Sequence, residues 1–386
     1  MSDITPGEKK ESQMKFTCLQ SVLSTALSNV SRAVPPKSSM QVLEGIKLYI
    51  NGNELEMTGY DMEIGIQTKI AVSSEDHGEF VVNAHIFSEI IRKIPSDMVT
   101  IEVDEKLKVT IRSGAGDKKS ATEFNILALS ADDYPSLPDV DRSDMFVFSQ
   151  AKLKNMIGQT IFAVSQNDSN PILKGELFDI ENGEFNLVAI DGFRLAIRHE
   201  ASGTEDKFNF VVKAKSLSEL AKLLRDGDDD KVNIYVTRKH CVFDLNGYML
   251  FTRLLEGEFY KYKGSLPTSY KTEVVVDTRL LLDMLDRCSL MIVEHTKAAV
   301  RCLFEDNEIK ISCSSSLGNF SDQCKADISG SSVEIGFNCR YFIEALKAAE
   351  SDRIRLQLGG NLSPMKIVPL QGDEYTFLLL PVRLKN

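Results

Sequence analysis

Between residues 21 and 34 the apolar positions Val22, Leu23, Ala26, Leu27, Val30, Ala33 and Val34 return every three or four residues, with Ser, Thr and Asn between them. That period puts one apolar face on an amphipathic helix over 21–34. Downstream the period falls to two. Gly45-Ile46-Lys47-Leu48-Tyr49-Ile50 and Glu54-Leu55-Glu56-Met57 alternate around Asn51-Gly52-Asn53, which predicts a hairpin bent at Asn-Gly. A short strand over 79–82 leads into a second helix over 84–94, and strands over 99–103 and 106–111 close the unit.

The same grammar returns twice. Shifted by 130 residues, positions 21–91 align without a gap on 151–221. Leu23 falls on Leu153, Ala33 on Ala163, Val34 on Val164, Leu43 on Leu173, Gly45 on Gly175, Asp61 on Asp191 and Glu89 on Glu219. Phe80-Val81-Val82-Asn83-Ala84 meets Phe210-Val211-Val212-Lys213-Ala214. A third copy lies at an offset of 255, where Asn83 meets Asn338, Phe87 meets Phe342 and Glu89 meets Glu344. The opening helices of the later copies are expected over 151–164 and 278–291. Prolines break the period near Pro135-Ser136-Leu137-Pro138 and Leu266-Pro267-Thr268. Three domains follow: 14–138, 139–271 and 272–386, after an extension over 1–13. Two helices and seven or eight strands in each predict an α+β fold, with helices covering one face of antiparallel sheets.

Composition agrees with several cores. The 386 residues exceed what one core holds, and the 43% hydrophobic and 26% charged shares are those of a globular chain. No apolar run approaches the ~20 residues of a membrane span, and polar residues 1–13 lack the apolar stretch of a secretory signal. A disordered extension, a start of order at Met14-Lys15-Phe16-Thr17, no membrane and a cytoplasmic location are expected. The seven cysteines (Cys18, Cys241, Cys288, Cys302, Cys313, Cys324 and Cys339) contain no CxxC pair, which points to buried thiols rather than disulfides or zinc.

Catalytic chemistry finds no foothold. The five histidines form no HExxH, and neither a phosphate loop nor GxSxG occurs. Gly114-Ala115-Gly116 lacks the rest of GxGxxG and is expected in a hairpin turn, while Asp226 to Asp230 departs from an EF-hand loop and is expected as a solvated turn. No catalytic residue, cofactor or metal site is predicted. The net charge of −11 argues against DNA binding by bulk attraction. Placement tells more. Lys37, Arg92, Lys93, Lys152, Lys154, Lys213, Lys215, Lys222, Arg225, Arg279, Arg287, Arg340 and Lys347 lie on or beside the repeat helices, with acids concentrated in loops and hairpins. Such segregation suits weak, sequence-independent phosphate contact on a helical face.

Met14-Lys15-Phe16-Thr17, Gly59-Tyr60-Asp61-Met62-Glu63, Ala189-Ile190-Asp191-Gly192-Phe193-Arg194-Leu195-Ala196, Gly336-Phe337-Asn338-Cys339-Arg340-Tyr341 and Leu380-Pro381-Val382-Arg383-Leu384 together resemble the bacterial DNA sliding clamp family, the beta subunits of DNA polymerase III, over residues 14–384. The resemblance implies a processivity factor without catalysis. Two subunits would join head to tail into a ring of six similar domains, helices inside and sheets outside, around duplex DNA. Linkage would then be topological, which reconciles DNA with a negative chain. The implied partners are double-stranded DNA, the replicative polymerase alpha subunit, the clamp loader and other proteins with a clamp-binding motif.

By the same resemblance, Lys37, Arg92, Lys93, Asn167, Lys213, Lys215 and Lys222 face DNA. The partner-peptide pocket comprises Leu173, Ile190, Gly192, Phe193, Arg194, Leu195, Tyr260, Asn338, Tyr341, Leu362, Pro364, Leu378, Leu380 and Arg383. Phe124 and Ile126 form one side of the subunit interface, Leu290 and Met291 the other. Tyr260 stands where proline is usual, Gly264-Ser265 replaces a larger pair, and Lys37 and Gln41 replace a common arginine and proline. Two rivals make different predictions. A clamp-like scaffold would not be retained on circular DNA, and an enzyme with an unrecognised site would show turnover and a titrating cluster in a cleft.

Overall fold

The computed structural model describes residues 14–113, 122–143, 145–292 and 299–384; the extension over 1–13 and the turn expected at Gly114-Ala115-Gly116 lie outside them. Six α-helices occur among the described residues: α1 (Gln20–Val30), α2 (Ala84–Lys93), α3 (Gln150–Thr160), α4 (Ala214–Leu223), α5 (Thr278–Ser289) and α6 (Cys339–Ala349). The opening helices are shorter than their apolar period. Residues Ser31–Ala33 and Ile161–Ala163 tighten into 3-10 turns, in which Val34 N–H donates to Ser31 O at 3.0 Å and Val164 N–H to Ile161 O at 3.3 Å. A tightened last turn satisfies carbonyls that an α-helix leaves bare at its end. The repeated Asn83 and Asn338 are N-caps, their side chains accepting from Ile86 N–H and Tyr341 N–H; Asp277 and Ser149 cap α5 and α3 in the same way.

The described residues pack as two compact units, one within Met1–Val147 with Lys231–Arg253 and one within Phe148–Asp230 with Leu254–Asn386. In the first, α1 packs on α2 over two antiparallel sheets. One runs Met14–Leu19, Met98–Val103, Lys108–Ser113, Glu123–Leu127. The other starts His77–Asn83, Gly45–Asn51, Glu54–Tyr60, Ile64–Ala71. It continues into the strand beginning at Tyr248, whose residues 248–252 pair with 64–68, and then into His240–Leu245.

The second unit is built alike. Its main sheet runs Phe208–Lys213, Gly175–Glu181, Glu184–Ile190, Arg194–Ala201, then Tyr375–Leu379, Met365–Pro369, Arg353–Leu358 and Thr272–Asp277. A further sheet runs Val333–Phe337, Val300–Glu305, Glu308–Ser315, Gly318–Lys325. Phe304, Phe337, Phe342 and Phe377 are fully buried around α5 and α6. Each such side chain contributes about 1.5–3 kcal/mol when taken out of water. All seven cysteines are free and buried, as their spacing predicts.

Candidate functional site

The expected pocket begins at a turn. Strand Glu184–Ile190 passes to Arg194–Ala201 through Asp191, whose Oδ1 accepts from Phe193 N–H at 2.9 Å and Arg194 N–H at 3.0 Å. Gly192 sits at φ +88°, a conformation that costs a side-chain-bearing residue free energy. The turn lifts Phe193 to 62% exposure. Arg194 goes the other way, into the wall. Its Nε donates to Asp191 Oδ2 at 3.0 Å, Nη1 pairs with Glu344 of α6, and the guanidinium lies 4.2 Å from the Tyr341 ring centroid and 5.3 Å from that of Phe162. Burial works to raise the Glu344 carboxyl, but hydrogen bonds and charge from Arg340 and Arg194 outweigh it and hold the group below its ordinary range. Arg194 is therefore a tie that fixes the turn to α6. Asn338 is likewise committed through its carbonyl, as the cap of α6.

Beside the turn, strand 194–198 receives strand 375–379, with Leu195 opposite Leu378, and Leu380 N–H donates to Phe193 O at 2.9 Å. Leu195 and Leu378 are buried in a cluster with Ile172, Leu177, Val188, Ile197, Val211 and Tyr262; half-buried Leu173 and Ile190 pack on it. Leu362 is 75%, Tyr260 51% and Leu380 43% exposed. Pro364 is half-buried and Arg383 exposed. The structure thus brings Leu173, Ile190, Leu195 and Leu378 into one cluster of the second unit, with exposed Phe193 and Leu380 bonded to each other beside it. Large apolar side chains gathered at a surface mark interaction sites. Tyr260 donates to or accepts from Ser265 Oγ at 2.7 Å and borders a cleft of about 580 Å³ with Leu177 and Asp179. Sequence reasoning missed Leu177, Val188, Tyr262, Asp179 and Glu344. Strand alternation marks the first two as inward-facing, whereas nothing local pairs Glu344 with Arg194.

The expected DNA-facing residues occupy both units. In the first, Lys37 is exposed and makes no ion pair among the described residues. Arg92 and Lys93, in the last turn of α2, both pair with Glu89, at 2.6 and 3.5 Å. In the second, Lys213 stands at the N-cap of α4, Lys215 is exposed in its first turn, and Lys222 pairs with Glu219 at 2.8 Å. Asn167 lies in an exposed loop, its Oδ1 accepting from Ser169 N–H at 2.9 Å. The segregation of cations from acids needs correction. Arg279 pairs with Asp283, Arg340 with Glu344 and Lys347 with Asp286, so the helices carry their own counter-charges. Exposed pairs of this kind hold by about 0–1 kcal/mol, weakly enough for a phosphate to displace the acid.

Phe124 and Ile126 lie on strand Glu123–Leu127, beside Leu127 at 78% exposure. Leu290 follows α5 at 76% exposure, and half-buried Met291 lies under strand Gly318–Lys325, its Cε 3.2 Å from where a Cβ on Gly318 would stand. Among the described residues no three His, Cys, Asp or Glu side chains could hold a metal, and no helix is long and apolar enough to cross a membrane.

Repeats of two helices on antiparallel sheets, the last strand of one added to the sheet of another within each compact unit, define a clamp-type assembly protein. Family models for the DNA polymerase III beta subunit match in chain order: the N-terminal domain over 14–138, the central domain over 147–261 and the C-terminal domain over 263–383. The chain is 34% identical over 383 residues to the beta sliding clamp of Bacillus subtilis, covering 96% of this chain and all of that one. Against the Staphylococcus aureus beta sliding clamp it is 31% identical over 381 residues, covering 96% and 99%. Among solved structures, the Bacillus subtilis DNA polymerase sliding clamp matches with TM-score 0.91 and 33% identity over 97% of this chain and 100% of that one. A putative DNA polymerase III beta subunit from Eubacterium rectale matches with TM-score 0.89 and 35% identity over 96% and 100%. The chain belongs to the DNA polymerase III beta subunit family. Its role is that of a non-catalytic processivity factor, with DNA and polymerase as partners.

Proposed function

We propose that two copies of this chain close head to tail into a ring around duplex DNA, and that polymerase, clamp loader and other motif-bearing partners compete for an apolar seat at the cluster of Leu195 and Leu378. The chain's three clamp domains are 14–138, 139–271 and 272–386. The observation that carries this reading is a count of strands. The strand from Tyr248, last in the second repeat, adds to Ile64–Ala71 of the first. Strand Tyr375–Leu379, last in the third repeat, adds to Arg194–Ala201 of the second. By the same rule Glu123–Leu127 is a strand waiting to be received, and Gly318–Lys325 is one waiting to receive. Each pairs on one side only among the described residues. A bare apolar edge strand invites another chain, and a heterologous contact closes when its rotation allows. Phe124 and Ile126 then meet Leu290 and Met291. Lys37, Arg92, Lys93, Asn167, Lys213, Lys215 and Lys222 touch phosphate without reading bases.

The seat's chemistry supports the partner half of the reading. Leu173, Leu195, Leu362, Leu378 and Leu380 supply apolar contact beside a few fixed polar groups, which suits a short, partly apolar peptide. The test is Leu290→Ala with Met291→Lys. Its native mass should fall to that of a folded monomer, and the variant should lose retention on nicked circular DNA that wild type keeps and linear DNA does not. A dimeric variant, or equal retention on circular and linear DNA by wild type, overturns the reading.

A further inference from the structure

The first repeat contains the frame of a second peptide seat, and the chain fills it itself. Shifted by 130 residues, Asp61, Ile64 and Gly65 fall on Asp191, Arg194 and Leu195. The backbone obeys the shift. Asp61 Oδ1 accepts from Glu63 N–H at 2.9 Å and Ile64 N–H at 2.7 Å, as Asp191 does in its own turn. Phe251 stands opposite Gly65 as Leu378 stands opposite Leu195. Arg253 N–H donates to Glu63 O at 3.0 Å, as Leu380 N–H donates to Phe193 O. Beneath lies a smaller apolar cluster containing Val42, Leu43, Tyr60 and Val81.

The segment after the second repeat also packs on its cluster, through Phe259, Tyr262 and Leu266, so what distinguishes the joints is position 65. Where the second repeat has a leucine, the first has none, and a Cβ built on Gly65 would come within 2.4 Å of Leu137 Cδ2. Leu137 therefore occupies the side-chain volume of position 65. It is half-buried, packed on both the Leu43 cluster and a neighbouring one around Phe251. Its segment is anchored two ways: Tyr134 donates from its hydroxyl to Thr58 O at 3.1 Å and from its N–H to Ala131 O at 2.9 Å.

We infer that the segment Tyr134–Pro138 acts as a built-in occupant of a first-repeat seat for a proline-flanked, leucine-anchored peptide, so that each chain offers partners one open seat instead of two. This rests on the second-repeat seat being a peptide site. The rim differs as well, Glu63 and Arg253 standing where the open seat has Phe193 and Leu380, so the two seats would favour different peptides.

The probe is the chain's own occupant supplied from outside, acetyl-Tyr-Pro-Ser-Leu-Pro-amide, titrated into full-length Leu137→Ala and followed by methyl resonances. Saturable shifts at Val42, Leu43 and Val81 in the variant, absent in wild type, are expected. Native-like Leu137→Ala that shows no such shifts, or shifts confined to Leu195 and Leu378, overturns the inference and leaves the open seat as proposed. Gly65→Ala keeps the leucine and guards against misfolding of the first variant. Its Cβ should expel Leu137, whose methyl signals then lose the ring-current displacement from Tyr60 and Phe251. Unmoved Leu137 methyls in Gly65→Ala equally overturn the inference.

Discussion

The joint between strands 64–68 and 248–252 and the joint between 194–198 and 375–379 share one set of main-chain hydrogen bonds and present opposite surfaces. At the first, Glu63 and Arg253 rim a turn and Leu137 seals the floor; at the second, Phe193 and Leu380 stand exposed over buried Leu195 and Leu378. Backbone architecture alone therefore does not make a binding site. A handful of side chains decides whether a joint is closed or open, while the backbone bonds that hold it are indifferent to them.

The largest expected effect comes from turning the open joint into the closed one. Phe193→Glu with Leu380→Arg should weaken partner-peptide binding by roughly 2–5 kcal/mol in calorimetry, because in the proposed seat both residues would meet the peptide's apolar anchors. Native mass and melting should stay near wild type, since neither side chain belongs to the core. Unchanged affinity would mean that the exposed pair is not what distinguishes the joints.

A second contrast lies deeper. At the positions where the first repeat buries Val30 and Ile46, the second buries Thr160 and Glu176; Thr160 Oγ1 lies 2.8 Å from Met156 O and 3.1 Å from Glu176 Oε2, and Glu176 Oε1 has no partner among the described residues. Burial pushes the Glu176 carboxyl well above its ordinary 4.5, against the opposing pull of the Thr160 hydroxyl. The unfolded chain ionises here from about pH 4.5, whereas the folded chain stays protonated to a higher pH. Stability should therefore fall as pH rises through that window. Thr160→Val with Glu176→Ile, which copies the first repeat, should raise stability at pH 7 by about 1–3 kcal/mol and flatten its slope between pH 5 and 8 in urea unfolding. A slope that persists would place its source elsewhere.

The smallest effects should appear at the apex of the two turns, where Met62 at φ +72° matches Gly192 at φ +88°. Gly192→Ala should cost about 1 kcal/mol and Met62→Gly should gain about 0.5 kcal/mol, strain relief slightly exceeding the added freedom of the unfolded chain. Thermal melts of equal sign for the two variants would show that the turns are not equivalent.

Periodicity located what is local. The helix faces, the Asn-Gly hairpin and the repeat itself were legible because side-chain spacing maps directly onto helix and strand geometry. The matched Asn83 and Asn338 were visible as identities, and their capping role follows once the helix starts are known. Strand addition was not legible in residues such as Arg194 and Leu379, because pairing through main-chain groups leaves no side-chain code at a separation of well over a hundred residues. The same holds for Leu137 over Gly65 and for Glu344 with Arg194, contacts that only the assembled fold brings together. Counter-charges on the helices were hidden because summing cations along a sequence ignores neighbours one turn away.

Arg194 lies at 5% side-chain exposure between Asp191 and Glu344, whereas Arg92 is 64% exposed beside Glu89. Mobile ions reach only the second. The screening distance shortens from ~8 Å at physiological ionic strength to ~3 Å at 1 M, which erodes attraction between exposed cations and phosphate while barely touching an enclosed ion pair. An apolar seat moreover grips no less in concentrated electrolyte. Ionic strength thus acts as a dial that separates the two proposed holds of this chain: the one on nucleic acid loosens first, and the one on a protein partner outlasts it.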